Sequence, residues 1–399
     1  MLHLAGTTGL QDAIAKSFPA IEISRESRAG SEHEEFLKRQ LITYLGNKRA
    51  LLEPIESAIQ EVRRLLGGRR LCTLDAFSGS GVVSRLMKQH SHTQIANDME
   101  SYARVISECY LTNAAVAARE PLRAIIADLN AHADAQADTQ ADEPFGFIEE
   151  LYAPRDESSI TSQDRVFYSR QNARRLDVYA QRISELDPAI RPLLLGPLLS
   201  SASVHANTSG VFKGFYKGRN GVGRFGGSGG DALDRILGKV RLFAPVLSSF
   251  ESEFRVLQAE AQALPNLVGH IDLAYLDPPY NQHPYGPNYF MLNLLVCYRR
   301  PAQVSRVSGI PPDWQRSPFN RRADAFSAFR TLATNLDAKF LLVSYNDEGF
   351  IPTAVMADFL SSIGRVQMIK IAYSTFRGSR NLSSRNLKVT EHLYLVERT

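Results

Sequence analysis

Asp277-Pro278-Pro279-Tyr280 closes an apolar run, Ile271 to Leu276, that has the length and composition of a buried strand. Two consecutive prolines have no N–H to donate and hold φ near one value, so the strand stops there and the loop beyond it is stiff. The loop offers a carboxylate, a carbonyl with no competing amide hydrogen, and an aromatic face. These groups suit a flat ring that carries an exocyclic amine. Asp277 and the Pro278 carbonyl each accept a hydrogen bond from the NH₂, and Tyr280 stacks on the ring. The two acceptors draw the nitrogen lone pair out of conjugation and aim it at an electrophile, which is catalysis by positioning. Taken alone, the tetrapeptide is also an ordinary Asp-Pro-Pro turn on a core strand, with Tyr280 at its rim.

The tetrapeptide resembles the catalytic motif of S-adenosylmethionine-dependent adenine-N6 DNA methyltransferases. Its continuation, Asn281-x-x-x-Tyr285-x-x-Asn288-Tyr289, is similar to the Dam-like branch, the alpha group or D12 class. The resemblance implies Asp277, Pro278, Pro279 and Tyr280 as catalytic residues and S-adenosylmethionine as cofactor. Related amino-methyltransferases carry Ser or Asn at the first position, so Asp277 favours adenine by that same resemblance.

The cofactor must be brought to this loop by other elements. Leu71 to Asp75 reads as a short strand that enters Ala76-Phe77-Ser78-Gly79-Ser80-Gly81, with a helical pattern from Val82 to His90. A glycine-rich turn between strand and helix lets a ligand approach the backbone. Gly79-x-Gly81-x-x-Ser84 almost matches the dinucleotide fingerprint, and Asp98 stands near the distance of a ribose-binding acid, so a nicotinamide-binding domain competes here. Asp75-x-Phe77-x-Gly79-x-Gly81 looks more like the methyltransferase motif I. Asn97-Asp98-Met99-Glu100, after a strand from Thr93 to Ala96, resembles motif II, with Asp98 on the ribose hydroxyls. Ile125 to Asp128 reads as the third strand, with Asp128 either accepting from the cofactor's adenine amine or capping the next helix. Tyr44-x-Gly46-Asn47-Lys48 precedes an amphipathic helix, Leu51 to Leu66, and resembles motif X. There Lys48 would meet the cofactor carboxylate, with Tyr44 packed beside it, although a solvated lysine before a helix is the plainer reading.

Ala131 to Asp142 has no apolar period and reads as a linker. Helical patterns follow at Ser169 to Leu186, Arg191 to Ser203 and Asp231 to Ala244. Between the last two, Lys213-Gly214-Phe215-Tyr216-Lys217-Gly218-Arg219-Asn220 and Arg224-Phe225 interleave cations and aromatics on a flexible backbone. Lys213, Lys217, Arg219 and Arg224 are expected to contact DNA, because the family places its target recognition domain in this part of the chain; a basic solvent-exposed linker is the alternative. The last two strands, Val366 to Tyr373 and Glu391 to Val396, are expected to pair across a cationic segment whose Arg377 and Arg380 would clamp phosphates, with a solvated basic loop as the simpler alternative. Phe340 to Asp347 reads as a buried strand that resembles motif VI.

The chain is therefore expected to be an α/β protein with a mostly parallel, seven-stranded, Rossmann-like methyltransferase sheet and an inserted, mainly helical recognition domain. The expected division is an extension at 1–33, a catalytic domain at 34–130 and 265–399, and a linker with recognition domain at 131–264. A hydrophobic content of 44% and a charged content of 22% describe an ordinary globular chain, and a net charge of +4 requires that any DNA-binding surface be local. Three scattered cysteines argue against a zinc site or a disulfide framework, and no apolar run is long enough to span a bilayer. A cytoplasmic enzyme that needs no metal is expected, acting on double-stranded DNA, with a cognate restriction endonuclease as a partner the family allows. The competing readings are the same chemistry on cytosine N4, an RNA adenine or a protein side chain, a DNA-binding module without catalysis, and the nicotinamide-dependent oxidoreductase.

Overall fold

The computed structural model describes residues 32–118, 121–139, 143–227, 230–374 and 388–399. Nearly all of the expected N-terminal extension, and the segment that carries Arg377 and Arg380, lie outside the described residues. Seven strands form one sheet: β1 (Leu71–Asp75), β2 (Ser91–Asn97), β3 (Glu253–Leu257), β4 (Ile271–Leu276), β5 (Ala338–Asn346), β6 (Gly364–Ser374) and β7 (Lys388–Arg398). Their order is β3-β2-β1-β4-β5-β7-β6. The first five run parallel, while β7 lies antiparallel between β5 and β6. The mostly parallel, seven-stranded α/β sheet is thus as expected.

The principal helices are α1 (Leu52–Leu65), α2 (Val82–Lys88), α3 (Ser101–Leu111), α4 (Leu122–Ala137), α5 (Arg170–Glu185), α6 (Arg191–Val204), α7 (Phe290–Cys297), α8 (Ala325–Asn335) and α9 (Thr353–Ile363). Strand β4 has neighbours on both edges and helices over both faces, so all six of its residues are buried and its sequence is an apolar run rather than an alternation. Leu273 and Tyr275 face Ile55, Ile59 and Val62 of α1, while Ala274 and Leu276 face the side covered by α8 and α9. Ile55 and Ile59 are fully buried, each contributing roughly 1.5–3 kcal/mol. Helix α1 is thereby fixed over the sheet, and so is the loop before it. The one charge in β4, Asp272, sits at the amino end, where its carboxylate accepts from the Arg69 guanidinium and from the Cys72 N–H at 2.7 Å.

Four expectations are corrected. Ile125 to Asp128 is not a strand but part of α4, whose buried residues Leu122, Ile126, Leu129, Ala133 and Ala137 recur with a helical period. The supposed linker from Ala131 is helical through Ala137, because alanine favours helix whether or not it marks an apolar face. The third strand is Glu253–Leu257, paired with β2 from Thr93↔Glu253 to Asn97↔Leu257. The helical insertion therefore lies between β2 with its helix α3 and β3, and its end moves from 264 to before Glu253. The helix expected from Asp231 to Ala244 is confined to Leu233–Leu237. Helices α4, α5 and α6 share one continuous core with α3 and α7, so the insertion is an extra helical layer rather than a detached body. Among the described residues no helix is long and apolar enough to cross a membrane.

Candidate active site

The chain order reverses between β1 and β4, which are neighbours, and the loops at their carboxyl ends line one crevice. On the β1 side, Gly79 and Gly81 adopt φ of 50° and 73°, the left-handed region that side chains avoid, and Gly81 starts α2. A Cβ on Gly79 would stand 2.7 Å from the Tyr44 hydroxyl. Tyr44 therefore lies directly on the glycine turn, packed against the rings of Tyr285 and Tyr289, whose centroids are 5.1 and 5.0 Å away. Ser84, at the place of the third small residue of a dinucleotide fingerprint, donates from Oγ to Asp75 Oδ2 at 2.5 Å. Burial pushes the Asp75 carboxyl up to about 7, and its Oδ1 is buried without a hydrogen-bond partner.

Asp98 directly follows β2 and ties that strand to the turn. Its Oδ2 accepts from the Gly79 N–H and its Oδ1 from the Glu100 N–H, both at 2.9 Å. Burial raises its pKa to about 6 against these backbone hydrogen bonds, which favour the carboxylate. Glu100, pushed up to about 7 by burial, accepts from Asn293 Nδ2 of α7 at 2.6 Å. A cavity of about 740 Å³, open to solvent, joins these groups. Each parallel strand from β1 to β4 sends residues to its wall: Phe77, Asp98, Glu260, and Asp277 with Pro279. Phe319, from the loop after α7, faces Phe77 edge-on at 5.2 Å and completes an aromatic side.

On the β4 side, the Tyr280 carbonyl accepts from the Phe350 N–H at 3.0 Å, which anchors the proline loop to the turn after β5. The half-buried Tyr280 ring meets Tyr345 edge-on at 6.1 Å and keeps part of its surface open. Lys48, expected on a cofactor carboxylate, is instead buried beside Asp277, with Nζ 3.0 Å from Oδ1 and 3.4 Å from the Glu391 carboxylate. Burial opposes the Lys48 charge, and the two carboxylates outweigh it and hold the ammonium protonated. Burial pushes Asp277 up to about 6, with Lys48 pulling it down and Glu391 pushing it further up.

The D12 class N6 adenine-specific DNA methyltransferase model matches residues 44–306, a span that runs from Tyr44 through the glycine turn and the proline loop. The chain belongs to the D12 class. It is 27% identical over 377 residues to the Type II methyltransferase M.NlaIII of Neisseria lactamica, covering 90% of this chain and 100% of that protein. It is 26% identical over 360 residues to the Type II methyltransferase M.CviAII of Paramecium bursaria Chlorella virus 1, covering 89% and 98%. Modification methylase StsI of Streptococcus sanguinis is 25% identical over 369 residues, and there the match takes in 52% of the longer protein. The D12 enzyme methylates adenine N6 in DNA, and the oxidoreductase and the non-catalytic module are set aside.

Of the site residues expected in this D12 enzyme, Tyr44, Phe77, Asp98, Asp277 and Pro279 line the cavity, Lys48 lies against Asp277, Tyr280 is next in the loop, and Gly79 lies behind Tyr44. Asp128 does not. It is exposed on α4, with its carboxylate 3.3 Å from His132 one turn on, because the segment that carries it is a helix and not the third strand. The wall expected of Asp128 is made instead by Ala259 to Gln262 after β3. Lys213, Arg219 and Arg224 are exposed, and a bridge between Lys217 and Gly223 folds their segment into a hairpin with Arg219 and Asn220 at its tip. The Phe212 N–H donates to the Asn288 carbonyl at 2.7 Å, which fastens that segment to the motif downstream of the proline loop.

Three residues at the site escaped the sequence reading. Glu260 was hidden because β3 is an edge strand with charged residues facing solvent, so EFRVL carries no strand signal as strong as its neighbours. Glu100 stood in plain view two residues after Asp98 but is distinguished only by its burial and its bond to Asn293. Glu391 interrupts the apolar alternation it shares with Leu393 and Leu395, and a charge at an inward position of a buried strand is the signal that could have found it.

Proposed function

We propose that the D12 enzyme transfers a methyl group from S-adenosylmethionine to the N6 amine of an adenine flipped out of double-stranded DNA, at a specific sequence, with Asp277 and the Pro278 carbonyl as acceptors of the amine. The observation that carries this reading is the single cavity in which the glycine-turn side and Asp277 face one another. Its lining fits the cofactor: Asp98 and Glu260 offer acceptors for hydroxyls and an amine, and Phe77 and Phe319 offer ring surfaces. S-adenosylmethionine supplies the methyl on an activated sulfonium. Gly79 and Gly81 let the turn take its left-handed course with Tyr44 and Ile106 packed close against it, and Asp98 keeps the turn in that shape through the Gly79 N–H.

Asp277 and the Pro278 carbonyl then hold the two amine hydrogens, so that the N6 lone pair points into the cavity. The lone pair forms the new bond to the methyl carbon while the carbon–sulfur bond breaks and its electron pair stays on sulfur. The methylated nitrogen sheds a proton, for which the Asp277 carboxylate is the nearest base. Flipping the adenine costs roughly a few kcal/mol. Stacking on Tyr280 returns roughly 1–3 kcal/mol of it.

Lys213, Lys217, Arg219 and Arg224 support the approach to DNA, since the hairpin and the segment that leads into it are fastened beside the catalytic motif. Arg377 and Arg380 are assigned to phosphates by the same charge argument. The Type II names of the relatives M.NlaIII and M.CviAII favour a role in restriction-modification beside a cognate endonuclease. The test is Asp277→Ala with tritiated S-adenosylmethionine and unmethylated genomic DNA, followed by digestion to nucleosides. Label in N6-methyldeoxyadenosine with the parent protein and none with the variant is expected, whereas undiminished labelling by Asp277→Ala overturns the assignment.

A further inference from the structure

We propose that Glu391 is a positioning residue of the transfer reaction: it shares the Lys48 ammonium with Asp277, and so keeps a lone pair of Asp277 open to the target amine. The inference rests on the reading of Asp277 as acceptor and adds a residue from β7, beyond the span matched by the family, whose role nothing above assigns.

The geometry begins with the sheet. Because β7 runs antiparallel, its early residues lie at the carboxyl ends of the parallel strands, and Glu391 pairs in register with Asn346, where β5 ends. Its neighbours Leu393 and Leu395 on the same face pack under α1, and Tyr275 of β4 belongs to that face as well. Lys48, in the loop before α1, comes down onto the same surface. Glu391 and Ser344 are both fully buried, and the Ser344 hydroxyl donates to Glu391 Oε1 at 2.5 Å. That oxygen is also the one facing Lys48 at 3.4 Å. A carboxylate held in this way cannot follow the lysine elsewhere.

A buried charge costs several kcal/mol unless it is paired, and an apolar side chain would fill the same place in the core at less cost. One ammonium between two carboxylates leaves one net negative charge at the site. Asp277 Oδ1 lies 3.0 Å from Nζ yet makes no aligned hydrogen bond with it. Lys48 also donates to the Gly46 carbonyl at 3.3 Å, so its hydrogens are divided among several acceptors. Without the charge on Glu391, Lys48 and Asp277 would form a closed pair with no excess charge. The amine would then have to displace an ammonium from its sole counter-ion in a buried site. With Glu391 ionised, Lys48 has a second place to rest.

The other groups that face Asp277 are Asp75 from β1, Tyr275 beneath it on β4, and Tyr280 and Tyr285 from its own loop. Burial holds the tyrosines neutral, so Asp75, Lys48 and Glu391 are the groups whose charge bears on Asp277. Glu391 and Lys48 act on the Asp277 carboxyl in opposite senses, raising and lowering it.

The experiment is single-turnover methyl transfer to unmethylated genomic DNA, measured against pH for the full chain with Glu391→Gln, Lys48→Met and both. Glutamine retains the shape and the Ser344 hydrogen bond but lacks the charge. In Glu391→Gln the rate at the plateau falls by roughly tenfold to a hundredfold. Its acid limb moves to lower pH by about half a unit or more, because the charge that raised the Asp277 pKa is gone. In Lys48→Met the limb moves to higher pH, and adding Glu391→Gln to that background produces no further loss of plateau rate. A Glu391→Gln enzyme slowed equally at every pH, or one whose loss adds undiminished to that of Lys48→Met, overturns the proposal and leaves a structural role. If Glu391→Gln does not fold, an unmoved or lowered acid limb in Lys48→Met overturns it alone. Asp277→Asn separates the two levels of the argument: full turnover there removes the reading of Asp277, while its inactivity together with an unmoved limb in Glu391→Gln removes only the inference.

Discussion

The glycine turn after β1 and the proline loop after β4 face each other across one cavity and make room for a ligand by opposite means. At Gly79 and Gly81 the side chains are missing, the backbone takes a left-handed course, and the amides donate within the protein, to Asp98 and to the Ser78 carbonyl. At Pro278 and Pro279 the amide hydrogens are missing, the backbone is stiff, and the carbonyls stay available to accept. The acids differ in the same sense. Asp98 is held at both oxygens by N–H groups of its own surroundings, whereas Asp277 answers to a lysine that it shares with another strand. A fixed wall whose amides are already paired within the protein suits a ligand that only has to be seated. An acceptor-rich wall whose charge can be rebalanced suits one that must react.

Breaking the reactive wall should have the largest effect. Asp277→Ala is expected to lower the rate of methyl transfer by about a thousandfold or more while S-adenosylmethionine still binds, as titration calorimetry would record. Breaking the fixed wall should reverse the pattern. Gly79→Val forces a branched side chain into a left-handed position, costing roughly 1–2 kcal/mol before its clash with Tyr44 is counted. Cofactor affinity should then drop by at least about tenfold, with a smaller change in the rate at saturation.

Acidity sharpens the contrast. Since burial and Glu391 raise Asp277 to about 6, its carboxylate is present above that pH and is lost as the pH falls through it. The transfer rate should therefore hold from neutral pH down to about 6 and decline below, in single turnovers at saturating cofactor. Outside both walls, Arg219→Ala at the hairpin tip should weaken DNA binding uniformly across sequences if it meets phosphate, reducing the slope of log affinity against log salt by about 1. Specificity that relaxes at one base position would place it on a base edge. The smallest effect is expected at the residue that the fold removed from the site. Asp128→Ala, exposed on α4, should leave cofactor affinity unchanged in the same calorimetric titration.

The two walls were also unequally legible. Both ends of the catalytic pairing could be read because each is a local device: glycines at a strand-to-helix turn and prolines after a fully buried strand. The sheet around them followed from alternation of apolar runs. What could not be read was set by neighbours distant in sequence. Strand β3 exists because β2 offers it an edge, and its own residues, Glu253 and Arg255 among them, say little. Ile125 to Asp128 has the look of a strand over four residues and the period of a helix over sixteen. Lys48 was placed with a cofactor on family order. Its actual partners come from β7 and from the loop after β4, which the fold alone brings together.

The antiparallel placement of β7 has a consequence for synthesis. Strand β6 is made first, yet among the described residues its only partner in the sheet is β7, which also separates it from β5. As the polypeptide emerges, β6 must wait unpaired while the next strand is translated, and the rim that carries Glu391 is assembled at the same late moment as the sheet's far margin. A nascent chain stalled between the two should hold a finished cofactor crevice between β1 and β4 and an incomplete catalytic one.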